Sequence, residues 1–278
     1  MQKTIQSTTI LNDGVKIPYL GLGTWQSRGA KCEKAVTFAL NHGYTLIDTA
    51  QIYENEGQVG KGWKASDKSR EDIFITTKIW TGNQGYESSQ RSLIKSLKAL
   101  QTDYVDLLLI HWPNVRDFSR TIATWRAMIE MREKGLCRSI GVSNFTIPLI
   151  EDLLKETDVV PSTNQVEFHI SLYQKELLDY CRSKNIQIEA YSPIARGKFL
   201  NNDILVKIAD KVHKTPAQVM LAWCLNHDLV TIPKSVNEGR ILENADVFFD
   251  LDKEDMQTLN ALGSKTRLIK GFWAPPTW

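Results

Sequence analysis

The sequence predicts a single α/β domain folded as a (β/α)8 barrel, and three observations carry that expectation. Eight apolar, β-rich runs end near Thr24, Ala50, Ile79, His111, Ser143, Phe168, Pro193 and Ser235. Segments with helical spacing lie between them, such as Ser89-Leu93-Leu97-Leu100 and Leu149-Leu153-Leu154. Ionisable or polar residues stand at the run ends, which in a barrel of this kind is the face that carries chemistry. Alternating strand and helix builds βαβ units on a parallel sheet, and eight units spaced roughly 25 to 45 residues apart match the barrel in size and count. A doubly wound sheet would open on a glycine-rich dinucleotide turn. Gly21-Leu22-Gly23-Thr24-Trp25-Gln26 lacks the third glycine, and no P-loop sequence occurs anywhere.

Taken in order, the elements depart from the regular rhythm in three places. Asn12-Asp13-Gly14 marks a hairpin turn before the first barrel strand, and that hairpin is expected to plug the N-terminal end. The stretch between Pro193 and Val230 is too long for one helix. It holds a polar loop, Arg196-Gly197-Lys198, a helix from about Asp203, and a second helix opening at Thr215-Pro216. A further helix over 252–262, capped by Gly263, should follow the eighth unit, and the chain closes with a C-terminal loop, G-F-W-A-P-P-T-W. No stretch reads as an interdomain linker, so residues 1–278 are expected to be one domain.

Bulk properties exclude some classes of function. At 42% hydrophobic and 24% charged residues, the composition is ordinary for a globular chain, and a net charge of +2 favours neither nucleic acid nor an anionic membrane. No apolar run approaches a membrane span, and the N-terminus lacks a signal-peptide core. Cys32, Cys137, Cys181 and Cys224 are far apart, with no C-x-x-C and no metal-ligand pattern. Reduced thiols in a cytoplasmic protein are expected, with a small molecule rather than a polymer as partner.

Four strand-end residues form a set suited to proton delivery: Asp48, Tyr53, Lys78 and His111. A carbonyl becomes an alcohol when hydride reaches carbon and a donor meets the developing oxyanion. Tyr53 has a proton to give, but a free phenol with a pKa of about 10 suits neutral pH poorly. A neighbouring ammonium, Lys78, would lower that pKa, and Asp48 would hold the ammonium in place. His111 would orient the substrate oxygen and stabilise charge building there. The same four residues also permit a buried ion pair without chemistry, or a Schiff base at Lys78.

The segments carrying this set, L-I-D-T-A-Q-I-Y, I-F-I-T-T-K-I-W and V-D-L-L-L-I-H-W-P, closely resemble those of the aldo-keto reductases, and the likeness runs along nearly the whole chain. The resemblance implies a monomeric, NADPH-dependent carbonyl reductase with Asp48, Tyr53, Lys78 and His111 in the roles above. It implies that Tyr191 stacks on nicotinamide while Ser143, Asn144 and Gln165 hold its amide, with Thr24, Trp25, Asp48, Ser192 and Pro193 completing that end. It implies further that Lys234, Ser235, Val236, Asn237 and Arg240 grip the 2′-phosphate, and that Glu243 and Asn244 meet the adenine. Cations at a strand end beside a helix N-terminus suit phosphate on physical grounds as well. Asn237 leaves use of NADH open.

Trp25, Trp80 and Trp112 each follow a strand end and are expected to wall an apolar substrate pocket, with Tyr53 and His111 at its base and Phe272 and Trp273 folding over the mouth. Arg116, Arg196 and Lys198 are candidates to meet an acidic substrate. The short loop W-P-N-V-R-D-F-S, with T-L-I-D-T-A-Q-I-Y-E-N-E and T-R-L-I, looks most like the prokaryotic 2,5-diketo-D-gluconate and methylglyoxal reductases. Glu54 departs from the glycine that many members carry after the tyrosine. A barrel that binds NADP(H) without turnover, sensing redox state or a partner, is the alternative from another class.

Overall fold

The hairpin forms where the turn residues stand. Gly14 takes a φ of +85°, a conformation that costs a residue without Cβ nothing, and Val15 then returns its carbonyl to the Leu11 N–H at 2.8 Å. β1 (Thr8–Ile10) and β2 (Lys16–Pro18) pair antiparallel with Thr9 opposite Ile17. The computed structural model describes residues 3–263, 266–271 and 274.

Eight strands follow: β3 (Gly21–Gly23), β4 (Leu46–Asp48), β5 (Phe74–Ile79), β6 (Val105–Ile110), β7 (Cys137–Ser143), β8 (Thr163–Glu167), β9 (Gln187–Tyr191) and β10 (Val230–Thr231). Each is parallel to the next in sequence order. Parallel bridges Leu20–Thr231 and Gly23–Lys234 close the circle. That closure needs glycine at 23, because a Cβ there would lie 2.9 Å from the Ile232 carbonyl oxygen. The run expected to end near Ser235 is strand only to Thr231, since Pro233 has no N–H to continue the ladder.

Helices α1 (Gly29–Asn41), α2 (Glu56–Lys64), α3 (Tyr86–Leu100), α4 (Phe118–Glu133), α5 (Ile147–Leu154) and α6 (Lys175–Ser183) connect successive strands. Between β9 and β10 lie two, α7 (Asp203–Lys211) and α8 (Pro216–Asn226), as the long interval required. Asn202 caps α7, and Thr215 with Gln218 forms a reciprocal capping box on α8. After β10 come α9 (Glu238–Ala245) and α10 (Lys253–Ala261), capped by Asn237 and Asp252. The expected glycine cap at 263 is not made: α10 ends on Leu262 at φ −68°, and Gly263 is not among the glycines with positive φ.

Period-two alternation along the strands divides the apolar residues between two cores. One lies between strands and helices and takes residues such as Ile47, Ile75, Leu108 and Ile188. The other fills the lower barrel, where Leu46, Phe74, Leu107, Leu109, Val230 and Ile232 meet Leu11 and Ile17 of the hairpin. The hairpin is therefore a plug. Each such Leu or Ile buried contributes about 1.5–3 kcal/mol. Asp13 accepts from the Ser139 hydroxyl at 2.6 Å and Asn12 donates to the Pro161 carbonyl at 3.0 Å, fixing the turn to the barrel floor. Above that apolar floor the inward positions become polar, and the site begins there.

Candidate active site

Inward-facing positions at the tops of β4, β5 and β6 place an acid, a cation and an imidazole within one ring of strands. Asp48 ends β4, Lys78 is the fifth residue of β5, and His111 follows β6, its N–H held by the Ile79 carbonyl at 3.1 Å. Tyr53 closes the single 3-10 turn Gln51–Tyr53 that leaves β4. Lys78 is fully buried, and a buried ammonium persists only when its donors are satisfied. All three are: two go to Asp48 Oδ1 and Oδ2 at 2.7 Å, and the third to the Thr49 carbonyl at 2.8 Å.

The ammonium lies 5.0 Å from the centre of the Tyr53 ring, and the His111 ring stands edge-on to Tyr53 at 5.6 Å. Lysine thus meets the tyrosine through its ring face. The expected lowering of the phenol's pKa does not occur. Burial pushes the Tyr53 hydroxyl well above the usual phenol range, and Asp48 and Glu189 push the same way. Burial is the largest of these causes, and the phenol keeps its proton at neutral pH. Burial, then Lys78, holds His111 well below the ordinary imidazole range, so its ring is neutral. A neutral imidazole has one N–H to give, and its Nδ1 is buried without a hydrogen-bond partner.

A second group of side chains adjoins these four. Thr24 donates through N and Oγ1 to the Asp48 carbonyl, at 3.0 and 2.9 Å, tying β3 to β4. Asn144, at φ +65°, donates to the His111 carbonyl at 2.8 Å and accepts from the Tyr191 hydroxyl at 2.8 Å. Ser143 donates to the Gln165 carbonyl at 2.7 Å. Gln165 Nε2 donates to Asp48 Oδ2 at 2.8 Å and to Glu189 Oε2 at 2.9 Å. Ser192, beyond Tyr191, is turned back at φ +50°, with Pro193 next. An aromatic face beside a carboxamide and a side-chain amide fits a flat, amide-bearing ring.

Farther round the rim, Lys234, Val236, Asn237 and Arg240 are exposed, while Ser235 is buried. Asn237 Oδ1 accepts from the Arg240 N–H at 3.0 Å and so caps α9. A helix N-terminus flanked by two cations fits a phosphate. Of the two residues expected at the adenine, Asn244 is buried, and Glu243 accepts from the Thr215 hydroxyl at 2.6 Å at the start of α8.

The three tryptophans expected to wall the pocket differ in exposure and contacts. Trp80 stands edge-on to His111 at 5.3 Å, and its N–H is held by Gln51 Oε1 at 3.1 Å. Trp25 is 39% exposed, with the Arg196 guanidinium 4.7 Å above its ring. Trp112 is buried, its carbonyl accepting from Gln84 at 2.6 Å. Phe272 and Trp273 lie outside the described residues.

Sequence reasoning missed two buried carboxyls. Glu189 lies beneath Tyr191 and reaches Gln165, a placement that the i, i+2 rule along Gln187–Tyr191 could have found. Glu167 accepts from His169 at 3.0 Å and from the Leu268 and Ile269 N–H groups at 2.7 and 3.1 Å, anchoring the tail. Nothing local in the sequence signals that last contact.

Residues 19–264 match the model of the aldo/keto reductase family, and the chain belongs to that family. It is 47% identical over 270 residues to the glyoxal reductase of Bacillus subtilis, covering 96% of this chain and 97% of the other. It is 43% identical to the methylglyoxal reductase DkgA of Yersinia pestis, covering 95% and 96%. A Bombyx mori aldo-keto reductase solved in complex with NADP superposes with a TM-score of 0.90 at 34% identity, covering 96% of each chain. Among the described residues no helix is long and apolar enough to cross a membrane.

Proposed function

We propose that this protein is an NADPH-dependent carbonyl reductase that turns small aldehydes and ketones into alcohols, with Tyr53 as the general acid. Its membership of the aldo/keto reductases supports an oxidoreductase using NADP(H), as do relatives named for glyoxal and methylglyoxal. The observation that carries the residue assignment is the saturated Lys78–Asp48 pair beneath the Tyr53 ring, with a neutral His111 beside it. NADPH, when bound, supplies the hydride; Tyr191, Ser143, Asn144 and Gln165 would hold its nicotinamide end, and Lys234, Ser235, Asn237 and Arg240 its phosphate end.

The chain's own residues do the rest. Tyr53, kept as a phenol, gives its proton to the carbonyl oxygen. The phenolate left behind sits over the Lys78 ammonium, whose charge is fixed in place before reaction, so little reorganisation opposes it. His111 donates to the same oxygen and sets the direction of approach. Trp80 against His111 shields that donor from water on one side. Small dicarbonyls, keto esters and keto sugar acids are the substrates proposed, taken up by a monomer in the cytoplasm. Loss of absorbance at 340 nm with NADPH across methylglyoxal, an aromatic aldehyde, a β-keto ester, an aldose and a diketo sugar acid tests the reading. Turnover on at least one supports it, and tight NADPH binding with no turnover would replace it with a sensing barrel.

A further inference from the structure

Glu189 is fully buried on β9, two residues below Tyr191 and therefore on the same face of the strand. In the ladder it stands opposite Gln165 on β8 and Val230 on β10. Its Oε2 accepts from Gln165 Nε2 at 2.9 Å, while its Oε1 is buried without a hydrogen-bond partner. The charged and titratable groups that bear on it are Asp48 from β4, Lys78 from β5, and Tyr53 beyond β4. The one cation, Lys78, has all three donors committed to Asp48 and Thr49. A negative charge at Glu189 therefore has only the Gln165 N–H and the pull of an already paired Lys78 to offset it.

A side-chain amide nitrogen carries two N–H groups, coplanar with its carbonyl. Gln165 gives one to Asp48 and the other to Glu189. With both committed, the amide plane cannot turn, and only its carbonyl oxygen remains to meet a ligand. We propose, on the reading that Gln165 meets the nicotinamide carboxamide and Tyr53 is the acid, that Glu189 is a positioning residue: with Asp48 it clamps Gln165, and its proton keeps a second negative charge away from Tyr53.

Burial, with Asp48 adding to it, pushes Glu189 up to about 8, against the Gln165 hydrogen bond and Lys78. Below that pH the carboxyl is neutral and the clamp is formed around an uncharged acid. Above it, Glu189 ionises, disfavours the Tyr53 phenolate, and makes Tyr53 a weaker acid. Reduction should therefore fall as pH rises through about 8.

The test compares wild type with Glu189→Gln and Glu189→Leu. NADPH binding is followed by tryptophan fluorescence, and methylglyoxal reduction from pH 6 to 10. Glu189→Gln keeps an acceptor but cannot ionise, so its alkaline fall should move up by at least one pH unit. Glu189→Leu frees one Gln165 N–H, and should weaken NADPH roughly tenfold and lower kcat. A merely structural role would shift melting temperature and leave the pH profile where it was. A Glu189→Gln profile that coincides with wild type, together with wild-type NADPH affinity in Glu189→Leu, overturns the inference. A wild type that neither binds NADPH nor reduces any carbonyl overturns the underlying reading instead, and shows itself before any variant is made.

Discussion

Lys78 grips both carboxylate oxygens of Asp48 at 2.7 Å, which leaves its ammonium nothing but a ring face to offer Tyr53. The pair is buried, so removing one partner leaves an uncompensated charge. Asp48→Asn should destabilise the fold by about 3–5 kcal/mol. It should also make Tyr53 more acidic, because Asp48 is one of the groups holding that phenol up. Difference titration at 295 nm against the same variant carrying Tyr53→Phe reads this directly. An unmoved phenol would mean that Asp48 does not help to set its acidity.

Glu54 sits at φ +55°, ending the turn that delivers Tyr53. A residue with a Cβ is strained there by roughly 1–2 kcal/mol, while glycine is not, though glycine loses more backbone freedom on folding. Glu54→Gly should therefore stabilise by about 0.5–1 kcal/mol, seen as a higher melting temperature. A lower one would show that the Glu54 side chain makes a contact worth more than the strain.

Glu189 links the site to stability as well as to rate. Its folded pKa, about 8, lies above that of an unfolded glutamate, so the folded state retains a proton that the unfolded state releases. The stability associated with that neutral carboxyl is complete below the unfolded value, near 4.5, and is lost as pH rises toward about 8. Glu189→Gln has no such loss. Its melting temperature relative to wild type should climb between pH 5 and pH 8 and level off above; a flat difference would contradict the burial of a neutral acid.

Arg240 is exposed on the first turn of α9, whose N–H groups Asn237 has begun to cap. A charged hydrogen bond to a phosphate is worth roughly 1.5–3 kcal/mol. Arg240→Ala should weaken NADPH by about 10- to 100-fold and leave NADH nearly as it was, measured by fluorescence titration with both. Equal losses would place the 2′-phosphate elsewhere.

The sequence made much of this legible where the signal was local. Asp48, Lys78 and His111 stand where apolar runs stop, and a parallel barrel aims such residues into one rim. The hairpin plug was readable from Asn12-Asp13-Gly14, and the split before β10 from Thr215-Pro216. What needed three dimensions was the electrostatic sign at Tyr53. Lys78 lies beside Tyr53 in the fold, yet burial first, then Asp48 and Glu189 brought in from β4 and β9, hold the phenol up. The three tryptophans share a position in their units but not an exposure: Trp112 is buried, while Trp25 is 39% exposed and meets Arg196. Glu167 could not be read as the anchor of a tail about a hundred residues later, since that contact is made to backbone N–H groups that any sequence carries.

The most direct measurement is NADPH oxidation at 340 nm with methylglyoxal, wild type against Tyr53→Phe, with NADPH affinity taken on both. The phenol lies between a fixed ammonium and a neutral imidazole, so removing its hydroxyl should lower kcat by roughly 10²- to 10⁴-fold while the cofactor binds within a few-fold of wild type. Turnover by Tyr53→Phe at a substantial fraction of the wild-type rate would contradict the account, and would move the proton donor to another group.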